Sequence, residues 1–75
     1  MGDVERVRLE IAFSGGQVIG IVVTAPTADE LEQALEHGRQ EALNLEAEDG
    51  GYTVPLGQVV YVKRFSRESR VGFGS

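Results

Sequence analysis

Apolar side chains stand at every second position from residue 7 to residue 13, and a second apolar run follows from Val18 to Ala25. Period-two alternation is typical of a strand with one buried face. Ser14-Gly15-Gly16 separates the two runs. Because short glycine-containing segments between apolar runs favour tight turns, the pattern predicts a β-hairpin.

Two registers are open to this hairpin, and the length of the turn decides between them. A two-residue Gly15-Gly16 turn would place the large aliphatic residues of the second strand on the same side as Arg8 and Glu10. A three-residue loop from Ser14 to Gly16, with Gly16 left-handed, puts the aliphatic residues of both strands on one face, pairing Ile11 with Ile19, Leu9 with Ile21 and Val7 with Val23. We therefore predict the three-residue loop.

A helix is predicted after the second strand. Pro26-Thr27 ends the strand and starts the helix, and the segment 27–30, Thr-Ala-Asp-Glu, has the form of a capping box. One apolar stripe at helical spacing, suited to packing on a sheet, consists of Leu31, Ala34 and Leu35. We place the helix end near Gly38, which can adopt the left-handed conformation that follows a last helical turn; the alternative is a helix that continues to Ala42.

The second half of the chain predicts three further strands. Alternation over residues 43–47 indicates the third strand, a turn follows at residues 48–51, and the fourth strand runs up to Pro55. After a bend at residues 56–58, the run Val59–Val62 has strong strand propensity.

The last predicted strand is apolar on both sides. In regular alternation, Val60 and Val62 share one face, and Val59 and Tyr61 share the other. Such a strand is either central in a sheet and covered on both faces, or one of its faces meets another subunit.

The element order β-β-α-β-β-β indicates the α+β class: one small antiparallel sheet of four to five strands that carries one helix. We expect residues 1–65 to form this single domain. Residues 66–75 are expected to form a basic, glycine-containing C-terminal tail.

The net charge of −5 is unevenly distributed. Residues 1–50 carry three basic and eleven acidic side chains, a balance of −8, whereas residues 51–75 carry four basic side chains and Glu68, a balance of +3. An acidic body with a basic end can mark an interaction segment. The alternative is that Lys and Arg on strands near the surface serve solubility and oppose edge-to-edge pairing.

The residues needed for most catalytic and metal chemistry are scarce. The chain has no cysteine and one histidine, His37, so we expect no disulfide, no thiol nucleophile and no zinc site. His37 falls at the predicted helix end, where a positive charge suits the helix dipole. Neither glycine pair is followed by the Gly-Lys-Ser/Thr of a phosphate-binding loop. We therefore expect no enzyme activity and no cofactor.

The apolar runs are too short to span a membrane and do not resemble a signal peptide. We accordingly expect no membrane association and a cytoplasmic location.

The C-terminal half resembles a family of short actinobacterial proteins known as a domain of unknown function. The similarity lies in residues 54–63, Val-Pro-Leu-Gly-Gln-Val-Val-Tyr-Val-Lys, and in residues 70–74, Arg-Val-Gly-Phe-Gly. An alternating first strand, a Thr-capped helix like 27–35 and a Leu-x-Leu strand before a glycine turn like 43–51 extend it over nearly the whole chain. Lys63 stands where the family usually has an acidic residue. The resemblance implies a lineage and a fold, and it assigns no catalytic residue.

These observations predict an interaction module that self-associates or docks on a protein partner. The predicted interface consists of Val18, Val22, Val59, Val60, Tyr61 and Val62. The predicted tail contacts, which would lie across an acidic face of the same or a neighbouring subunit, are Lys63, Arg64, Phe65, Arg67, Arg70 and Phe73. The alternative is single-stranded nucleic-acid binding through the same basic and aromatic segment, which the acidic body opposes.

Overall fold

The first strand lies at the centre of the main sheet. In a computed structural model, which describes residues 5–65, strand β1 (Arg6–Phe13) pairs antiparallel with β2 (Val18–Thr24) on one side and with β5 (Val59–Arg64) on the other. Helix α1 (Ala25–Glu36) follows β2, and a second, two-stranded sheet consists of β3 (Ala42–Ala47) and β4 (Gly50–Pro55). A 3₁₀ turn, Leu56–Gln58, leads into β5. The predicted tail, residues 66–75, lies outside the described residues.

The predicted hairpin register is confirmed. Ile11 pairs with Ile19, and the amide of Phe13 donates to the carbonyl of Gln17 at 2.8 Å, which leaves a three-residue loop. Gly15 and Gly16 both have φ of +96°, a conformation that residues with a Cβ rarely adopt. The loop length therefore brings the large aliphatic side chains of β1 and β2 onto one face.

The predicted capping box at Thr27 is wrong, because the helix begins earlier. Thr24 is the N-cap, and its Oγ1 accepts a hydrogen bond from the amide of Thr27 at 3.3 Å. Pro26 lies inside the first turn, where the missing N–H of proline removes no helical hydrogen bond. The strand therefore ends at Thr24, and both Pro26 and Thr27 lie within the helix.

The predicted helix end near Gly38 is confirmed. His37 is the C-cap, and Gly38 has φ of +73°. The amide of Gly38 donates to the carbonyl of Leu35 at 3.0 Å, and that of Arg39 donates to Ala34 at 3.1 Å. This pair of bonds is the Schellman motif, which satisfies carbonyls that the last turn would otherwise leave unpaired.

The α+β class with one helix is confirmed, but the expectation of one continuous sheet is wrong. The strands divide between a three-stranded sheet in the order β2-β1-β5 and the separate β3–β4 pair. Directly after β4, the amide of Leu56 donates to the carbonyl of Glu41, the residue before β3. After the 3₁₀ turn, β5 pairs with β1 and not with β4. The amide of Glu48, in the β3–β4 turn, donates to the carbonyl of Val22 on β2 at 2.9 Å and so links the two sheets.

The last strand contains a bulge that changes which side chains share a face. Ala12 lies opposite Tyr61, but the next residue, Phe13, lies opposite Val59, so Val60 is extra. Val59 and Val62 consequently both pack against the core, whereas Tyr61 faces the other way. The predicted pairings of Val60 with Val62 and of Val59 with Tyr61 are wrong, and β5 lies at the edge of its sheet.

One hydrophobic core lies between the helix and the two sheets. The odd-numbered residues of β1 and β2 supply one wall of this core, and three helix residues, Ala28, Leu31 and Ala34, pack on it. The second sheet and the 3₁₀ turn complete the core with Leu43, Leu45, Val54 and Leu56. Within residues 5–65, no helix has the length and apolar composition needed to cross a bilayer.

Candidate functional site

The three-stranded sheet has a second face that points away from the core. Since side chains alternate along a strand, the even-numbered residues of β1 and of the segment 18–22 of β2 lie on this side, together with Tyr61, Lys63 and the next residue beyond β5 in the same phase, Phe65. Helix α1 and the β3–β4 pair pack against the opposite side. We call this surface the open face; its residues are Arg6, Arg8, Glu10, Ala12, Val18, Gly20, Val22, Tyr61, Lys63 and Phe65.

An apolar row crosses one end of the open face. Val18, Ala12 and Tyr61 lie opposite one another on the three strands. Val18 is 51% exposed and Tyr61 46%, whereas Ala12 between them is buried. Val60, at the bulge beside this row, is 65% exposed, and these three are the only exposed large hydrophobic residues in the described part of the chain. Their concentration on one sheet makes this the candidate binding surface.

A tyrosine–carboxylate contact joins the edge strand to the central strand. The hydroxyl of Tyr61 donates to Oε2 of Glu10 at 2.7 Å. This hydrogen bond stabilises the protonated phenol, and with desolvation and the negative charge of Glu10 it raises the pKa of Tyr61 above its ordinary value. Glu10 thereby holds the exposed aromatic ring at one place on the open face.

A cation–aromatic cluster occupies the other end of the open face. The guanidinium carbon of Arg8 lies 5.3 Å from the ring centroid of Phe65, and Nζ of Lys63 lies 4.7 Å from it. The amide of Phe65 donates to the carbonyl of Arg8 at 2.9 Å, so the pairing of the two chain segments places the Phe65 ring beside Arg8. Cations over an aromatic face attract its quadrupole, which gives this end a positive, partly apolar surface.

Basic side chains are concentrated on the open face, although Nε of Arg6 lies 3.8 Å from Oε2 of Glu48 in the β3–β4 turn. The open face carries three basic side chains, Arg6, Arg8 and Lys63, and one acidic side chain, Glu10. The remaining described residues carry nine acidic side chains and two basic ones. Most acidic side chains of the described residues therefore lie on the helix and the β3–β4 pair, and two of them, Glu48 and Asp49, border the open face beside Arg8 and Val22.

The structure brings together only some of the residues predicted for the interface. Val18, Val22 and Tyr61 lie on the open face, and Val60 lies at its β5 edge. Val59 and Val62 are half-buried against the core and present no side chain to the open face.

The residues predicted as tail contacts also divide. Lys63 and Phe65 lie on the open face, whereas Arg67, Arg70 and Phe73 lie outside the described residues. Arg64 points to the core side, where its Nη1 lies 2.8 Å from Oδ1 of Asp29 and 3.3 Å from Oε1 of Glu32. The hydrogen bond to Asp29 raises the pKa of Arg64. Arg64 thus ties β5 to the helix.

Arg6 and Arg8 are open-face residues that the sequence reasoning did not assign to the site. Both stand in the polar phase of the first strand, so the alternation that predicted β1 also placed them on its outer side. Their neighbours Lys63 and Phe65 come from a strand more than 50 residues later. Only the β1–β5 pairing, which local pattern does not reveal, brings these cations together.

The single histidine of the chain lies at the end of the helix. His37 is exposed at the helix C-cap, and no group of three or more His, Asp or Glu side chains within residues 5–65 is arranged to hold a metal ion. The arrangement offers a binding surface of apolar, aromatic and basic side chains. No protein-family model matches the chain, and neither a curated protein nor a solved structure matches it.

Proposed function

We propose that this protein is a small interaction module, without catalytic activity, that self-associates or docks on a protein partner through the open face. The observation that carries the proposal is the concentration of Val18, Tyr61 and Val60 on one sheet. Apolar side chains gathered in this way lose contact with water when another protein covers them, and this burial is the main favourable contribution to association.

The size of the domain also supports association. A chain of 75 residues buries a smaller fraction of its unfolded surface than a larger domain does. Covering the open face would add apolar burial around Ala12, which is already enclosed by its two larger neighbours in the row. We therefore expect folding stability to rise with protein concentration, as it does when association stabilises the folded state.

Sedimentation velocity on the full chain over a range of concentrations tests self-association. We expect the weight-average sedimentation coefficient to rise with concentration, and to rise less in the Val18→Asp variant than in the wild type. The control is Thr53→Asp, an exposed substitution on the β3–β4 pair, which should leave association unchanged. A wild-type chain that stays monomeric at high micromolar concentration would reject self-association, and equal loss in both variants would reject the open face as its site.

A second candidate function, single-stranded nucleic-acid binding, is favoured by the aromatic and basic side chains of the open face. Tyr61 and Phe65 could stack on bases, while Arg6, Arg8 and Lys63 contact phosphates. The acidic helix and β3–β4 pair oppose the approach of a polyanion. Nucleic-acid binding would therefore depend on the three cations of the open face, in a protein whose net charge is negative.

Fluorescence anisotropy of a labelled single-stranded RNA, titrated at several salt concentrations, tests the second candidate. If three cations contact phosphates, the logarithm of the binding constant should fall against the logarithm of salt with a slope of about −2. Arg8→Ala and Lys63→Ala should each reduce this slope, and Arg39→Ala, which lies away from the open face, should leave it unchanged. Absence of binding at low salt would exclude this function.

A further inference from the structure

Strand β5 presents an unpaired backbone edge. It is the last strand in the order β2-β1-β5, and its ladder to β1 uses only one side of its backbone. Among the described residues, no backbone hydrogen bond satisfies the other side of β5. An edge of this kind is a template for pairing with another strand.

The direction of the free groups follows from one hydrogen bond. The amide of Phe65 points to β1, where it donates to the carbonyl of Arg8. Because N–H and C=O groups alternate sides in an antiparallel ladder, Lys63 and Tyr61 also direct theirs to β1. Val62 and Arg64 direct theirs outward, and these are the groups that a new strand would meet.

The outer edges of β2 and β4 are less suited to pairing than that of β5, although β5 carries a bulge at Val60 and the charged Lys63 and Arg64. At the outer edge of β2, the carbonyl of Val22 already accepts from the amide of Glu48. Strand β4 begins with two glycines and ends with Pro55, residues that weaken strand pairing. Strand β5, with the sequence Val-Val-Tyr-Val-Lys-Arg, contains neither glycine nor proline and has high strand propensity.

We infer that β5 pairs antiparallel with β5 of a second copy, with Val62 of both copies at the two-fold axis. This inference rests on the self-association in the proposed function and adds to it a contact at the β5 edge, beside the open face. The outward-facing groups of Val62 bond to their equivalents, and each Tyr61 lies directly opposite the Lys63 of the other copy on the open face. The two three-stranded sheets thereby join into one sheet of six strands.

The chemistry of the facing residues selects this register. Moving the strands by two residues in one direction would place Lys63 opposite Lys63, and like charges directly opposite one another are destabilising. Moving them the other way would place Tyr61 opposite Tyr61 and leave both Lys63 side chains without an aromatic neighbour across the interface. With Val62 on the axis, each Lys63 meets the aromatic ring of Tyr61 across the interface.

Mixed disulfide formation tests both the edge and the register. The chain has no cysteine, so Tyr61→Cys and Lys63→Cys variants each carry a single thiol. In the inferred register these positions form a non-hydrogen-bonded pair with Cα atoms about 4.5 Å apart, within the range for a disulfide. Two Y61C chains, or two K63C chains, would have their thiol positions diagonally offset by about 7–8 Å, beyond ready bridging.

We expect an equimolar mixture of Y61C and K63C, oxidised gently, to form mainly the mixed dimer, identified by its mass. The control mixture, Thr53→Cys with Lys63→Cys, should give only collisional background. Circular dichroism of each variant verifies that the exposed substitutions leave the fold intact.

The outcomes separate this inference from the proposed function. Predominance of the mixed disulfide supports β5 pairing in the stated register. If the wild-type chain self-associates in sedimentation but the variants give no excess of mixed dimer, β5 pairing is overturned and self-association still holds. Preference for either same-variant dimer overturns the register, and a strictly monomeric wild type overturns the inference together with self-association.

Discussion

The hydroxyl of Tyr61 on the edge strand donates to Oε2 of Glu10 on the central strand, 51 residues earlier in the chain, at 2.7 Å. The bond requires a protonated phenol, and it raises the pKa of Tyr61. The pKa of Tyr61 in the unfolded chain is about 10, and the pKa in the folded state therefore lies above it. The contact stabilises the folded protein below that unfolded value, and its contribution is lost as the pH rises through the folded pKa.

Spectrophotometric titration of tyrosinate checks this contact. The chain has two tyrosines, so the Tyr52→Phe variant leaves Tyr61 as the only absorbing phenol. We expect its midpoint to lie above the ordinary value and to fall when Glu10→Gln removes the carboxylate charge. The matched control in the same Tyr52→Phe background is Asp49→Asn, which removes a carboxylate charge that has no part in the shift of Tyr61 and should leave its midpoint unchanged. An unshifted midpoint in the Glu10 variant would contradict the contact.

The Arg64 contact with the helix predicts a salt-dependent stabilisation. Arg64→Ala removes the bonds to Asp29 and Glu32 and should lower the free energy of unfolding by up to about 1 kcal/mol, as expected for a partly exposed ion pair. Urea unfolding at low and high salt measures the effect, which should shrink at high salt. Arg39→Ala removes a pair with Glu41, two residues away, and should have a smaller effect. Equal effects would refute a long-range tie between β5 and the helix.

The position of the helix cap predicts unequal effects of two threonines. Thr24→Ala removes the side chain that accepts from the amide of Thr27, and it should cost about 1 kcal/mol of unfolding free energy. Thr27→Ala keeps the hydrogen bond from the amide of residue 27 to Thr24 Oγ1 and removes only the contact between the two hydroxyls. Thermal unfolding followed by circular dichroism should show the larger loss for Thr24. The reverse order would indicate that the helix begins at Thr27.

Core truncation should have a far larger effect than changes at the β5 edge. Leu31 is fully buried between the helix and the sheets, and Leu31→Ala should cost about 2–5 kcal/mol. A loss of this size threatens folding altogether in so small a domain. Val60→Ala, at a residue that is 65% exposed, should change stability by less than about 0.5 kcal/mol. Urea unfolding at low protein concentration, where association does not contribute, compares the two variants.

Local pattern predicted the parts of the fold that local physics determines. The first hairpin has only one register that buries its aliphatic residues together, so Ile11 and Ile19 identify it. The helix end was likewise predictable, because Gly38 suits the positive φ that the last turn requires. The helix start was not, since Pro26 is compatible both with the end of a strand and with the first turn of a helix.

The candidate site depends on pairing that local pattern does not specify. The sequence indicates that residues 59–62 form a strand, but nothing in it selects β1 as the neighbour over β4. The bulge at Val60 is likewise not predicted by the sequence pattern, because it arises from the pairing of β5 with Ala12 and Phe13. Once β5 is placed, Tyr61 and Phe65 fall beside Glu10 and Arg8, and the open face is complete.

The position of β1 between β2 and β5 has a consequence for the order in which the fold forms. The β1–β2 hairpin, the helix and the β3–β4 hairpin are local in sequence, whereas β1 meets β5 only across some fifty residues. Contacts between distant segments form late, because the intervening chain must first be ordered. During synthesis, one edge of β1 therefore remains unpaired until residues 59–64 emerge from the ribosome. A nascent chain stalled before that point would expose β1 to pairing with other chains, which is the stage at which aggregation is most favoured.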